Sequence, residues 1–271
     1  DGAAAQFVAV VLREPLTKRF LPASKITLRL NAGEPIELAH LWGEFPLYGA
    51  NVALPEGQAA VEVEVAPPAY CRHGDMLASF TKIARASFAL QAQNGRWLAK
   101  GDRPAPSAED YDIGDDVLQA IGEARWKGGA GPYALGFIAE GPEPIWLWEN
   151  GKAVLRPAVQ GETNHLEIAL MEKSTMRIVP EAKVSLRLVR DDAPDAKALE
   201  FPLYPLLSEF YHYGNTVQVP PGRYQVTARV EPPAFGSLTP GLFEEAVEVR
   251  FPWDNRPDVA GSATEPAGGP S

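Results

Sequence analysis

The sequence predicts an all-β protein built as two immunoglobulin-like β-sandwich repeats with a mixed helix/hairpin connector, and three observations predict it. One stretch occurs twice: Tyr48 to Tyr70 laid over Tyr213 to Phe235 is identical at 10 of 23 positions without a gap, and Val8 to Leu30 over Leu166 to Leu188 at 9 of 23. Self-similarity on this scale marks a repeated structural unit. Apolar residues alternate with polar ones in period two, the pattern of a strand with one face on a core. Turn signals such as Pro55-Glu56-Gly57 and Pro67-Pro68 separate the alternating runs at short intervals, as in a sandwich of short antiparallel strands. The expected division is repeat 1 over residues 1–100, connector 101–163, repeat 2 over 164–253 and tail 254–271.

Residues 7–12 and 25–30 read as the first strands, the second with Ile26, Leu28 and Leu30 on one face and Thr27 and Arg29 on the other. Val61, Val63 and Val65 alternate with Glu62 and Glu64 in the same way. Repeat 2 follows with strands over 183–189, 223–230 and 246–251. In the connector, Asn94-Gly95 and Asn150-Gly151 are tight-hairpin turns between apolar runs, because both residues accept positive φ. Arg103 to Ser107 is a Pro-rich break, and Ser107-Ala108-Glu109-Asp110 caps a helical stretch running to Trp126, ahead of the joint Gly128-Gly129-Ala130-Gly131. Beyond Trp253 the Pro, Gly, Ser and Ala composition predicts a mobile tail.

Composition removes several function classes. A formal charge of −10 argues against a nucleic-acid partner, which needs clustered Lys and Arg. Cys71 is the single cysteine, so there is no disulfide framework and no Cys-based zinc site. No apolar run is long enough to span a bilayer as a helix. Asp1-Gly2-Ala3-Ala4-Ala5 is not a secretory leader, so an exported protein would be represented in its mature form. With no phosphate loop, nucleophile elbow or His-Glu-x-x-His pattern, the expectation is a protein that is not an enzyme.

The chemistry-bearing residues are few: His40, His73, His165 and His212, with Met76, Met171 and Met176. Imidazole and thioether suit copper, and imidazole with carboxylate suits ferrous iron. The run His212-Tyr213-Gly214-Asn215-Thr216-Val217, followed by Pro221-Gly222-Arg223-Tyr224-Gln225-Val226-Thr227 and closed by Pro232-Pro233, resembles the periplasmic iron-transport family that serves high-affinity ferrous-iron permeases. That resemblance implies small paired β-sandwiches binding copper or a similar divalent ion. The ligands it implies are the His of His-Tyr-Gly, a Met upstream of it, a His-x-Glu pair on an early strand, and a His after the Pro-Pro strand of the paired subunit. Carried onto this chain, they become His212 and, from repeat 1, His73. The His-x-Glu pair falls on Thr27 and Arg29 in repeat 1 and on Ser185 and Arg187 in repeat 2, and so is missing from both.

The resemblance implies a monomer acting as an intramolecular pseudo-dimer with two unequal sites. One collects His212, Ser185 and Arg187 with His73, and Met176 nearby; the other, with Thr27, Arg29, Leu47 and His40 as its one candidate donor, reads as inactive. Residue by residue there are plainer roles. Tyr211-His212-Tyr213 also suits a hydrogen-bonded structural histidine, His165 and His40 suit surface or packing positions, and Met171 and Met176 suit core filling. Asp110, Asp112, Asp115 and Asp116 fit no calcium loop and read as a solvated face. The functional expectation is a periplasmic protein that binds copper or iron ions for uptake or delivery, with a membrane permease or periplasmic protein as partner. The alternative is a metal-free interaction module docking such a partner through the connector and an exposed hairpin bearing Trp146 and Trp148.

Overall fold

The computed structural model describes residues 5–14, 20–44, 46–54, 57–72, 76, 78–93, 96–99, 124–208 and 210–256. Among them the fold is all-β, as the period-two patterning predicts. The first half contributes β1 (Ala5–Val10), β2 (Ile26–Leu30), β3 (Ile36–Trp42), β4 (Pro46–Ala53), β5 (Gln58–Val65), β6 (Cys71–Arg72), β7 (Ala84–Gln93) and β8 (Arg96–Ala99). The central stretch contributes β9 (Trp126–Ala130), β10 (Tyr133–Glu140), β11 (Ile145–Glu149) and β12 (Lys152–Arg156). The second half contributes β13 (Asn164–Glu172), β14 (Val184–Arg190), β15 (Leu199–Leu207), β16 (Tyr211–Val217), β17 (Arg223–Val230), β18 (Gly236–Ser237) and β19 (Val247–Asp254). The expected helix from Ser107 falls largely on residues outside those described, as do the Asn94-Gly95 turn and the tail beyond Arg256.

The two halves repeat one ladder in one register. Ile26 pairs with Val65 and Leu28 with Val63 in the first; Val184 pairs with Val230 and Leu186 with Ala228 in the second. Likewise Leu41 faces Leu47 as Leu206 faces His212, and Ala9 faces Gly49 as Glu167 faces Gly214. Register is fixed wherever one face is buried, because a one-residue slip would turn every apolar side chain outward. The same corner precedes β2 and β14. Tyr48 donates its hydroxyl to the Leu21 carbonyl at 3.0 Å and accepts from Ser24 N–H; Tyr213 donates to Val179 at 2.9 Å and accepts from Ala182 N–H. These bonds hold Ala23 and Glu181 at φ of 52° and 59°, a conformation that non-glycine residues adopt only when their surroundings impose it.

The halves interlock reciprocally. β6 runs parallel to β15, with Cys71 beside Leu206 and Arg72 beside Leu207, while β18 runs parallel to β3, with Gly236 beside Leu41 and Ser237 beside Trp42. Trp42, 1% exposed, stacks on Phe235 at 5.1 Å and donates its indole N–H to Glu172 at 3.2 Å, so a first-half side chain sits in the core of the second. The second half is also extended by the central stretch: β10 pairs with β13 over eight positions and carries β9.

The Asn150-Gly151 hairpin forms as predicted, with φ of 50° and 74° at its turn. Its tryptophans are not offered outward. Both are half-buried, and Trp148 lies over the guanidinium of Arg72 at 4.1 Å. Arg72 is 1% exposed and donates to the carbonyls of Pro68, Tyr70, Ser79 and Phe80. That cation is desolvated and needs the ring and the four oxygens.

Candidate metal centre

β13 and β16 are adjacent antiparallel strands, and alternation sorts their side chains. Leu166, Ile168 and Leu170 on β13, with Tyr211 and Tyr213 on β16, enter the main core. The opposite face carries His165 and Glu167 from β13 and His212, Gly214 and Thr216 from β16. His165, Glu167 and His212 are 1%, 8% and 2% exposed, and their donor atoms lie within 4.8 Å of one another.

Hydrogen bonding fixes the chemistry of this trio. The Thr216 hydroxyl donates its only proton to the Glu143 carbonyl at 2.9 Å, so it must accept from His165 Nδ1 at 2.9 Å. His212 Nδ1 donates to the Phe210 carbonyl at 3.2 Å. Each neutral ring therefore carries its lone pair on Nε2, and both Nε2 atoms face one oxygen, Glu167 Oε1, at 3.3 and 3.5 Å. Two lone pairs converging on a buried carboxylate repel it unless positive charge stands among them, supplied by protons or by a cation. Anions crowd nearby: desolvation, then the charges of Glu167 and Glu143, push the Glu140 carboxyl above its ordinary range.

Gly214 makes room for this arrangement. A Cβ there would lie 2.8 Å from His165 Nε2 and 2.8 Å from Leu206 Cδ1, so the glycine of His-Tyr-Gly is where an imidazole packs onto backbone. The first half has the glycine without the polar side chains. Phe7, Ala9 and Leu47 occupy the equivalent ladder positions, and the Phe7 ring lies against Gly49.

The structure sets different neighbours around His212 from those the sequence suggests. His212 is in the cluster, but its companions are His165 and Glu167, not Ser185 and Arg187. Those two lie on β14 opposite Pro202 and Glu200, four and six residues along β15 from the partner of His212. At ~3.3 Å per residue that is about 13 and 20 Å. Arg187 instead pairs with Glu200 at the surface, 3.5 Å away. His165, expected at the surface or in packing, is buried with its Nε2 3.3 Å from Glu167 Oε1. The sequence carried a signal for the pair: His165 and Glu167 are two donors in period two on one strand, separated by the core residue Leu166.

His40 is elsewhere. Its Nδ1 meets Glu181 Oε1 at 2.8 Å across the two halves, its ring lies 5.0 Å from those of Tyr48 and Phe235, and its Nε2 has no hydrogen-bond partner among the described residues. Met176 packs beside Ile138, Ala169, Met171 and Phe210, and the Phe210 ring is 4.9 Å from that of His212. His73 lies outside the described residues.

The centre is thus a buried site of two imidazoles and one carboxylate, a donor set suited to borderline divalent ions. No model of a known protein family matches the chain, and no curated protein does. Among solved structures, it is similar to a copper-bound variant of FetP from uropathogenic Escherichia coli strain F11, at 19% identity and a TM-score of 0.40, over 49% of this chain and 95% of that one. It is also similar to copper-reconstituted P19 from Campylobacter jejuni, at 15% identity and a TM-score of 0.38, over 48% and 94%. Likenesses of this strength define neither the ligand nor the partner of this chain.

Proposed function

We propose that the chain is a periplasmic carrier that takes up and hands over one transition-metal ion, copper or ferrous iron, with His165, Glu167 and His212 as donors. One observation carries the reading: both Nε2 atoms lie within hydrogen-bond range of the same buried carboxylate oxygen, at 3.3 and 3.5 Å. The mechanism is ligand exchange, without bond-making chemistry on another substrate, so the protein is not an enzyme. The ion is the cargo.

The inter-repeat part of this reading rests on β6. It runs beside Leu206, the cross-strand partner of His212, and His73 follows it in the sequence. This supports His73 as a donor added by the first half, and Met176 as a neighbour rather than a ligand. Shared ladder register in the two halves supports a fused, duplicated relative of the periplasmic iron-transport proteins, delivering to a permease or another periplasmic protein.

Calorimetric titration of metal-free protein with Cu(II), and anaerobically with Fe(II), tests the proposal. Saturable binding should be present in the wild type, abolished by Glu167→Gln with His165→Ala, and weakened by His73→Ala. If the wild type does not bind, or those substitutions leave binding unchanged, the carrier reading fails and the metal-free docking module takes its place.

A further inference from the structure

We propose that the outer edge of β1 is a self-association surface, on which the β1 of a second copy adds antiparallel to complete the first-half sheet. In the second half the equivalent strand, β13, is paired on both sides, with β16 and with β10. β1 is paired with β4 alone and ends its sheet among the described residues. Exposure follows that difference: Leu166 and Ile168 are fully buried at 0%, whereas their counterparts Val8 and Val10 are only half-buried and Phe7 is 50% exposed. β10 therefore shows what the missing neighbour does. Its Phe137 lies opposite Ile168 and its Ala139 opposite Leu166, closing the core over them.

Strand chemistry names the occupant. Edge strands ordinarily carry charge or proline to prevent pairing, and the other edges here do: Arg96 on β8, Lys127 on β9, Lys152 and Arg156 on β12, and Glu248, Arg250 and Pro252 on β19. β1, Ala5-Gln6-Phe7-Val8-Ala9-Val10, has neither. It also has what its own edge needs in a partner, since Val8 and Val10 alternate on the core-facing side. Two copies related by a two-fold axis would each supply those valines to the other, an isologous contact that closes on itself. Being uncharged, the strand allows this approach despite a formal charge of −10 per chain.

Sedimentation equilibrium on the full chain tests this directly. The wild type should run at twice the chain mass. Ala5→Lys with Ala9→Lys, at two exposed positions, should run as a monomer and melt where the wild type melts once diluted enough to dissociate, because the added charges face water until a second β1 arrives. Val154→Lys on the exposed face of β12 is the control and should leave the dimer intact. A wild type of single mass overturns the proposal, as does a dimer that survives the β1 charges or dissociates equally with the β12 control.

Discussion

Thr216 governs a proton rather than an ion. By donating to the Glu143 carbonyl it can only accept from His165, which keeps the His165 lone pair on the ring nitrogen facing Glu167. Thr216→Val should weaken cation affinity about 10- to 100-fold, the usual effect of removing a partner that orients a ligand, while Thr216→Ser should retain it; calorimetry on the pair separates the hydroxyl from the shape of the side chain. Glu140 gives a prediction with a pH sign. Its carboxyl is pushed up from an ordinary 4.5 by desolvation and by Glu167 and Glu143, so the folded state holds its proton more tightly than the unfolded state. Stability contributed by that proton is present below pH 4.5 and is lost as pH rises through the elevated value. Glu140→Gln should therefore raise the melting temperature of metal-free protein at neutral pH, with the gain fading in acid, and should lower cation affinity by removing a negative neighbour. A melting temperature unmoved at neutral pH would count against that electrostatic account.

At the scale of elements, the tyrosine corners are the joints of each half. Tyr213→Phe strips the buried Val179 carbonyl and Ala182 N–H of their shared partner, which should cost about 1–3 kcal/mol, read as a shift in denaturant midpoint at constant slope. Tyr48→Phe removes the same joint from the first half and should act in the same direction. Long alternating strands were legible from the sequence, because period two over five or more residues leaves little freedom: 223–230 was placed at both ends, and Asn150-Gly151 turned as its chemistry demands. The strand that carries the buried cluster was not singled out by the sequence. The resemblance carried onto the repeats put the His-x-Glu positions on β14, while His165 and Glu167 sit on β13, a strand buried on both faces, where polar residues read as packing positions. β6 and β18 are two residues long, too short for any period to register, and the interlocking of the halves was invisible for that reason.

The molecule as a whole is symmetric in its ladders and asymmetric in its chemistry. One ion per chain is the expected stoichiometry, because Phe7, Ala9 and Leu47 stand where His165, Glu167 and His212 stand in the other half. Phe7→His with Ala9→Glu and Leu47→His should create a second site, since Gly49 already leaves space for a ring; calorimetry would then count two ions, and a count that stays at one would show that ladder position alone does not make the centre. The reciprocal crossing of β6 and β18 has a consequence for how such a chain can change over time. Two identical subunits must accept every substitution twice, once on each side of their shared axis. Joined in one polypeptide, as the proposed duplication has it, the sides inherit changes singly, so one can carry the proposed donors while the other presents a bare strand edge.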